Sequence, residues 1–279
     1  MQFSIHLHGI ARKQNLETCY CLYMNTYTLE KPIEWYAARL DYLYESVNKL
    51  PDIRLGKRND RRTLRIFSSP HKYRQIGEKS KQWNIFFPIY EQRQILISKI
   101  NVLRKELSEI YNTTYEDIRN QFKVQKNTTN MLNMNYYNNL IDNECSFTKH
   151  NNYEYDGHNF RSRFEMSVAR EINNLGLEYK YDCGIHLSNK TLFMDFAIPF
   201  PEYDECEVIE LFGCFDDTKY INDAAEKIKD YSNCGILLGS NFFALAATEN
   251  SMPNGVQIRQ LLVQVITAVS IRYSIPATN

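Results

Sequence analysis

Hydrophobic spacing in the first half of the chain predicts two helices. Apolar residues at positions 36, 40, 43, 47 and 50 recur every three or four residues, which predicts a helix over residues 34–50 that Pro51 ends. Residues 89–111 keep an a/d heptad rhythm. Because this rhythm lasts only about three heptads, we favour an intramolecular helical hairpin over a dimerising coiled coil, with a homodimer as the alternative.

Three other segments of the first half have weaker patterns. Residues 53–76 have strand character and many Arg and Lys residues, which predicts a basic β-hairpin at the tip of the helical pair. Near the N-terminus, a short alternating run predicts a strand on which His6 and His8 share a face and could form a metal pair. Residues 127–152 are Asn-rich and are interpreted as a linker, with one helix within residues 131–140.

The second half alternates between helical and strand spacing. Apolar residues at 164, 168, 172 and 175 mark an amphipathic helix that Gly176 closes. Further spacing predicts strands at 177–181, 184–187, 192–198, 207–212, 235–238 and 242–247, with helices over 221–231 and 258–269. This order predicts an α/β domain, a mixed central sheet flanked by helices. The predicted organisation is a basic arm (1–126), a linker (127–152) and the α/β domain (153–279).

Composition excludes several classes of protein. The 279 residues are 43% hydrophobic and 24% charged, as in ordinary globular proteins. No apolar run approaches the ~20 residues of a membrane-spanning helix, and the N-terminus lacks signal-peptide features, so no membrane partner is expected. The seven scattered cysteines contain no C-x-x-C, which indicates reduced thiols in a cytoplasmic protein and argues against a structural zinc site.

The net charge of zero hides a strong asymmetry. Residues 1–150 carry 23 Lys and Arg against 15 Asp and Glu, whereas residues 151–279 carry 10 against 18. Residues 51–81 alone contain ten basic residues and three acids, which would attract nucleic acid. The candidate nucleic-acid contacts are Arg54, Lys57, Arg58, Arg61, Arg62, Arg65, Lys72 and Arg74. The alternative is that residues 34–111 serve protein–protein contact and the basic run is a solvated face.

Three acids lie where apolar residues dominate. Asp195 and Glu210 each interrupt a strand-like apolar run, and Glu165 lies at the head of an amphipathic helix. Burying such acids without a partner is costly, which suggests a shared cation. If the two strands pair, Asp195 and Glu210 lie side by side, and Mg²⁺ or Mn²⁺ between them would serve phosphodiester hydrolysis. Spacing alone is equally consistent with edge-strand acids that face solvent.

Three segments carry a family resemblance. RSRFEMSVAREINNLGLEYKYD, LFMDFAIPF and VIELFGCFDDTKY resemble the PD-(D/E)XK nuclease superfamily and are similar to very-short-patch-repair endonucleases. The resemblance places Asp195 and Glu210 at the metal ligands, with Glu165 at the acidic helix position, holding a metal-bound water or a second metal. It implies a restriction-endonuclease-like fold and a Mg²⁺- or Mn²⁺-dependent endonuclease, with DNA favoured over RNA as the substrate.

The resemblance is incomplete at the catalytic lysine. Met194 replaces the proline before Asp195, and Phe212 occupies the position of the lysine in the E-x-K signature. Lys227, on the following helix, is the candidate replacement, and the alternative is that it is a solvated helix residue. The missing lysine also supports a second hypothesis, in which a catalytically degenerate nuclease-like domain acts as a nucleic-acid-binding or assembly module.

Other acids near these strands have two interpretations. Asp216 and Asp217 are either further metal ligands or caps of the following helix, and we favour capping for Asp217. Glu207 is expected to lie off the site, because it faces away from Glu210 in a regular strand.

Overall fold

The computed structural model describes residues 29–129, 131–143, 153–186, 191–248 and 250–277, so the predicted His6 and His8 pair lies outside the described residues. The helices in these ranges are α1 (Ile33–Lys49), α2 (Trp83–Tyr111), α3 (Tyr115–Ile118), α4 (Met134–Asn138), α5 (Arg163–Asn174), α6 (Thr218–Asn233) and α7 (Gly255–Tyr273). The strands are β1 (Asp52–Arg58), β2 (Arg61–Ser69), β3 (Lys72–Gly77), β4 (Phe122–Val124), β5 (Ile141–Asp142), β6 (Tyr153–Tyr155), β7 (His158–Phe160), β8 (Lys180–His186), β9 (Thr191–Phe200), β10 (Glu205–Phe212), β11 (Phe242–Ala246) and β12 (Ser274–Pro276).

A five-stranded mixed sheet lies at the centre of the second half, in the order β11-β10-β9-β8-β5. Its strands pair antiparallel except for β10 and β11, which are parallel and are connected through α6. Every residue of β10 is buried, as expected for a strand covered on both faces. The predicted mixed α/β architecture is therefore confirmed.

Two strand predictions in this sheet are wrong. The two strands predicted over 177–181 and 184–187 are one continuous strand, β8 (Lys180–His186), in the described residues, and position 187 lies outside them. Residues 235–238 are not a strand, although Leu238 makes one isolated parallel bridge with Phe242; Gly235 and Gly239 flank the run at φ values of 78° and 79°, and Leu237 and Leu238 are about half exposed. Apolar composition alone does not make a strand there, because the glycines reverse the chain before the parallel strand β11 begins.

The arm is a helical hairpin that carries a small sheet. Helices α1 and α2 run antiparallel, since Tyr36 contacts Glu106 near one end and Arg93 contacts Val47 near the other. Ile100, Leu103 and Leu107 of the predicted heptad are buried in the shared core. The predicted intramolecular hairpin of helices is therefore present.

The predicted basic β-hairpin is wrong in strand number. Strands β1, β2 and β3 form a three-stranded antiparallel sheet. Asn59 and Asp60 make the first two-residue turn, both with positive φ, which suits the right-handed twist of paired strands. Ile53, Leu64 and Ile76 on one face of this sheet contact Trp83 at the start of α2.

The arm and the central sheet share one hydrophobic core. Side chains of α1, such as Trp35 and Leu40, belong to the same buried cluster as Ile209 of β10 and Ile266 of α7. A buried ion pair also joins them, because Arg39 of α1 lies 2.8 Å from Glu202 in the β9–β10 turn. The division into arm, linker and domain stays a prediction, although these contacts join its first and last parts.

The described part of the predicted linker packs on the central sheet. Strand β5 pairs with β8 at the sheet edge, and Leu132 and Leu140 are buried in a second hydrophobic cluster. The predicted helix within residues 131–140 is present as the short α4. Within the described residues, no helix has both the length and the apolar character needed to cross a membrane.

The buried ion pair between Arg39 and Glu202 generates a stability prediction. Arg39→Ala leaves a buried carboxylate without its cation, which typically costs about 3–5 kcal/mol in the free energy of unfolding. Urea denaturation followed by circular dichroism measures this loss. Arg39→Met combined with Glu202→Leu should recover most of it, and a double variant as unstable as Arg39→Ala would contradict the assignment.

Candidate active site

Glu165 is held in place by the start of its own helix. Ser162 caps α5, and its side chain accepts from the Glu165 N–H at 3.1 Å while the Glu165 carboxylate accepts from the Ser162 N–H at 2.9 Å. This capping box suits a negative charge at a helix N-terminus. The Tyr181 hydroxyl of β8 donates to the same carboxylate at 2.9 Å. The side chain of Glu165 is therefore oriented before any ligand binds.

Asp195 and Glu210 lie next to each other where β9 and β10 begin to separate. The last paired residues of the ladder are Phe196 and Ile209, and one further step in this register brings Asp195 opposite Glu210. Beyond this pair, the Asp195 carboxylate takes the place of a strand carbonyl and accepts a hydrogen bond from the Leu211 N–H at 2.7 Å. Both acids are buried, with relative exposures of 6% and 1%. The solvent-facing edge-strand alternative is therefore wrong for both.

Arg161 connects three acids of this site. Its guanidinium lies 2.6 Å from Asp195, 3.2 Å from Glu165 and 3.7 Å from Asp182. Asp182 of β8 has a positive φ of 47° and interrupts the ladder between β8 and β9 opposite Asp195. Sequence reasoning assigned no role to either residue. The spacing of Arg161 four residues before Glu165 was the available signal.

Helix α6 supplies both partners of Glu210. Lys227 Nζ lies 2.7 Å from one carboxylate oxygen, and the Tyr231 hydroxyl donates to the other at 2.6 Å. Residues four apart share a helix face, so the two side chains reach the same carboxylate. Lys227 therefore contacts the site, as its candidate role requires. Apolar spacing predicted Tyr231 only as the last position of this helix. Its ring does pack on Phe242, while its hydroxyl group reaches Glu210.

Burial changes the protonation of the site acids. It raises the pKa of Glu210 to about 8, the Asp195 charge adds to this rise, and the contacts with Lys227 and Tyr231 oppose it. Burial also raises the pKa of Glu165. Burial and the nearby Glu210 carboxylate raise the pKa of Tyr231, so its hydroxyl stays a donor. Glu210 thus exchanges a proton near neutral pH, where a bound cation would compete with that proton.

These side chains line a cleft of about 370 Å³ in which acids outnumber bases. The acids are Glu165, Asp182, Asp195, Glu210 and Asp223, and the bases are Arg161 and Lys227. Such a surplus repels a phosphate group unless a cation accompanies it. Among the described residues, no group of three or more His, Cys, Asp or Glu is arranged to hold a metal.

The remaining predicted residues lie around this cleft. Phe212 is buried in its wall, where a lysine of the E-x-K signature was expected, and its ring lies 6.0 Å from that of Phe215. Asp217 caps α6 through the N–H groups of its first turn, which confirms its predicted role, whereas Asp216 does not line the cleft. Glu207 lies off the site as predicted, paired with Arg272 at 3.0 Å.

The eight predicted nucleic-acid contacts all lie on β1, β2 and β3, and none of them lines the cleft. Comparison of the chain with protein-family models, with curated proteins and with solved structures found no match. A function for this cleft therefore follows from its side chains and from the sequence resemblance.

The raised pKa of Glu210 generates a prediction about stability and pH. The carboxyl group contributes stability that is fully present below its unfolded pKa of about 4.5 and is lost as pH rises through about 8. Glu210→Gln removes this titration. The melting temperature of the variant minus that of the wild type should therefore increase as the pH is raised from 6 to 9. Thermal unfolding in EDTA measures the difference. Glu226→Gln, at an exposed position of α6, is the control, and a pH-independent difference for Glu210→Gln would contradict the prediction.

Proposed function

We propose that the cleft hydrolyses phosphodiester bonds in nucleic acid, with DNA as the first candidate, and that it requires Mg²⁺ or Mn²⁺. The observation that carries the proposal is the meeting of Asp195 and Glu210 at one end of paired strands, with Lys227 on Glu210. The resemblance to the PD-(D/E)XK superfamily supports it. The order of α5, β8, β9, β10, α6 and β11 agrees with the restriction-endonuclease-like fold that the resemblance implies.

The donor set fits a magnesium site of the open kind. Mg²⁺ commonly takes one or two carboxylates and completes its shell with water and substrate phosphate oxygens, so a third protein ligand is not required. Asp195 and Glu210 are the two carboxylates, and a cation beside them would relieve the repulsion that raises the pKa of Glu210. When bound, the ion would polarise the phosphoryl group and lower the pKa of a bound water.

The side chains around the carboxylates have distinct proposed roles. Glu165, held by the capping box, orients a water for attack. Lys227 stabilises negative charge that develops on the phosphoryl oxygens, in place of the lysine that Phe212 lacks. Arg161 neutralises Asp195. If Asp195 held a cation, the guanidinium of Arg161 would be available to contact a substrate phosphate. Tyr231 holds Glu210 in position through its hydroxyl group.

The second candidate function is a nucleic-acid-binding or assembly module without activity. Phe212 at the lysine position favours it, and so does the present pairing of both carboxylates with protein cations. A module of this kind needs neither metal binding nor a free water site in the cleft. Metal binding and cleavage therefore separate the two functions. A cytoplasmic location and a homodimer stay predictions in both cases.

Metal binding is expected to depend on pH. Mg²⁺ at millimolar concentration should raise the melting temperature at pH 8 and raise it less at pH 6, because a proton competes for Glu210 below its pKa of about 8. Differential scanning fluorimetry measures the shift. Asp195→Ala should abolish it, and an equal shift in Asp195→Ala would show that the ion binds elsewhere.

Cleavage is expected to depend on the same residues. Incubation with Mg²⁺ or Mn²⁺ should convert supercoiled plasmid to nicked or linear DNA, and Asp195→Ala should abolish this. Lys227→Ala should lower the rate about 10²–10³-fold, the usual effect of removing one donor that stabilises transition-state charge. Lys229→Ala, at an exposed position of the same helix, is the matched control. Metal-dependent cleavage that survives Asp195→Ala would reject the assignment, and binding of nucleic acid without any cleavage would favour the inactive module.

A further inference from the structure

The strand register of the small sheet separates its basic residues into two sets. Side chains directly opposite each other in paired strands lie on the same face, and alternate positions lie on opposite faces. The inward face carries Ile53, Leu64 and Ile76, which contact Trp83 of α2, and it also carries Lys57, Arg62 and Arg74, whereas Lys72 lies at a β-bulge where the register shifts. The other face, called here the outward face, carries Arg54, Arg58, Arg61 and Arg65 together with Phe67 and Tyr73.

Two basic residues of the inward face are used by the fold of the arm. Arg62 forms an ion pair with Glu78, and its guanidinium lies 5.7 Å from the ring centre of Trp83. Arg74 lies 4.6 Å from the ring centre of Phe86. These contacts occupy the guanidinium groups with partners from the arm itself. A long polyanion is therefore not needed to explain them.

The outward face alternates guanidinium groups with aromatic rings. Arg54 lies 4.4 Å from the ring centre of Phe67, the ring centres of Phe67 and Tyr73 are 5.2 Å apart, and Arg65 lies 5.4 Å from the ring centre of Tyr73. Tyr73 is 47% exposed, although Phe67 lies directly opposite it in the sheet. An exposed ring flanked by guanidinium groups offers a stacking surface beside positive charge, which suits an unpaired base next to its phosphate.

Charge and hydrogen-bonding capacity on the outward face also indicate an anionic partner. Strand positions on this face contain four arginines and one acid, Asp52, which pairs with Arg54 at 3.0 Å, so the arginines still outnumber the acids by three. The Oγ1 atom of Thr63 and the Nε atom of Arg65 are buried beside Gly56 without a hydrogen-bond partner among the residues that the structure describes, so the hydrogen bonds open to a ligand are those of the exposed Arg58 and Arg61. Gly56 lies opposite Thr63, and the side chain of Arg65 lies over it, with its Nε atom 3.6 Å from where a Cβ atom of residue 56 would stand.

We propose that the outward face binds single-stranded nucleic acid, with the arginines on phosphates and the rings of Tyr73 and Phe67 stacked on unpaired bases. A duplex presents its phosphates and groove edges but keeps its base faces stacked, so it would use the arginines and leave the rings without a role. One face of this three-stranded sheet therefore exposes both cations and aromatic rings. Such a face suits single-stranded nucleic acid, whose bases are accessible. The inference rests on the proposed function, because it names the form of nucleic acid that the arm offers to the cleft.

Fluorescence anisotropy with the full chain in EDTA tests this inference. The probes are labelled single-stranded DNA, single-stranded RNA and a DNA duplex, each of 20 nucleotides or base pairs. Single strands should bind more tightly than the duplex. The comparison of the two single-stranded probes shows whether DNA or RNA is the preferred ligand. Tyr73→Leu should weaken single-strand binding about tenfold, the usual scale of one stacked base, whereas Tyr73→Phe should retain it. Circular dichroism confirms that both variants fold.

Matched charge variants separate the two faces. Arg58→Gln with Arg61→Gln removes a directly opposed pair from the outward face, and Lys57→Gln with Arg62→Gln removes the adjacent opposed pair from the inward face. The outward variant should reduce the magnitude of the salt slope for single strands by about 1.4, at about 0.7 per phosphate contact, and the inward variant should change it much less. Equal effects of the two variants, or tighter binding of the duplex, would overturn the inference.

The outcome is distinguishable from failure of the proposed function. Binding in EDTA needs no metal and no residue of the cleft, whereas plasmid cleavage and the metal-dependent shift in melting temperature need Asp195. Loss of single-strand preference with cleavage intact would reject the outward face alone. Single-strand preference without cleavage would retain this face and reject the catalytic role of the cleft.

Discussion

Carboxylates buried at the junction of β9 and β10 impose the main physical constraint on this protein. A buried carboxylate costs several kcal/mol unless charges and hydrogen bonds compensate it. Asp195 receives Arg161 and a backbone N–H, and Glu210 receives Lys227 and Tyr231. Helix α6, which carries Lys227 and Tyr231, and the start of α5, which Arg161 precedes, must therefore lie where these side chains reach this one end of the sheet. The packing of both helices is tied to the neutralisation of two acids.

Buried carboxylates elsewhere in the chain are also neutralised by cations, but those ion pairs only join structural elements. Arg39 neutralises Glu202 between the arm and the sheet, and Arg272 of α7 neutralises Glu207 beside Glu205. Burial raises the pKa of Glu207 to about 8, as it does for Glu210. These pairs link structural elements. The cleft differs because its acids outnumber its bases and because it opens to solvent, which leaves room for a cation and a ligand.

Much of the fold could be predicted from local spacing. The helices α1, α5, α6 and α7 and the strands β9, β10 and β11 lie close to their predicted positions, because periodic burial of apolar residues decides them. The strand of the arm that was missed is β1, because only one of its seven residues is buried and no alternation marks it. The wrong strand at residues 235–238 shows the opposite error, an apolar run that a pair of glycines turns away from the sheet.

Composition and periodicity are local properties, and they already show that Asp195 and Glu210 interrupt core-forming strands and that the basic residues gather in residues 51–81. Tertiary structure alone decided which cations reach those acids. Asp182 joins the site because β8 pairs with β9, and Arg161 joins it from the segment between β7 and α5. Lys227 and Tyr231 join it only because α6 packs beside β10. Strand register likewise decided which arginines share a face with Phe67 and Tyr73, since a shift of one residue would exchange the two faces.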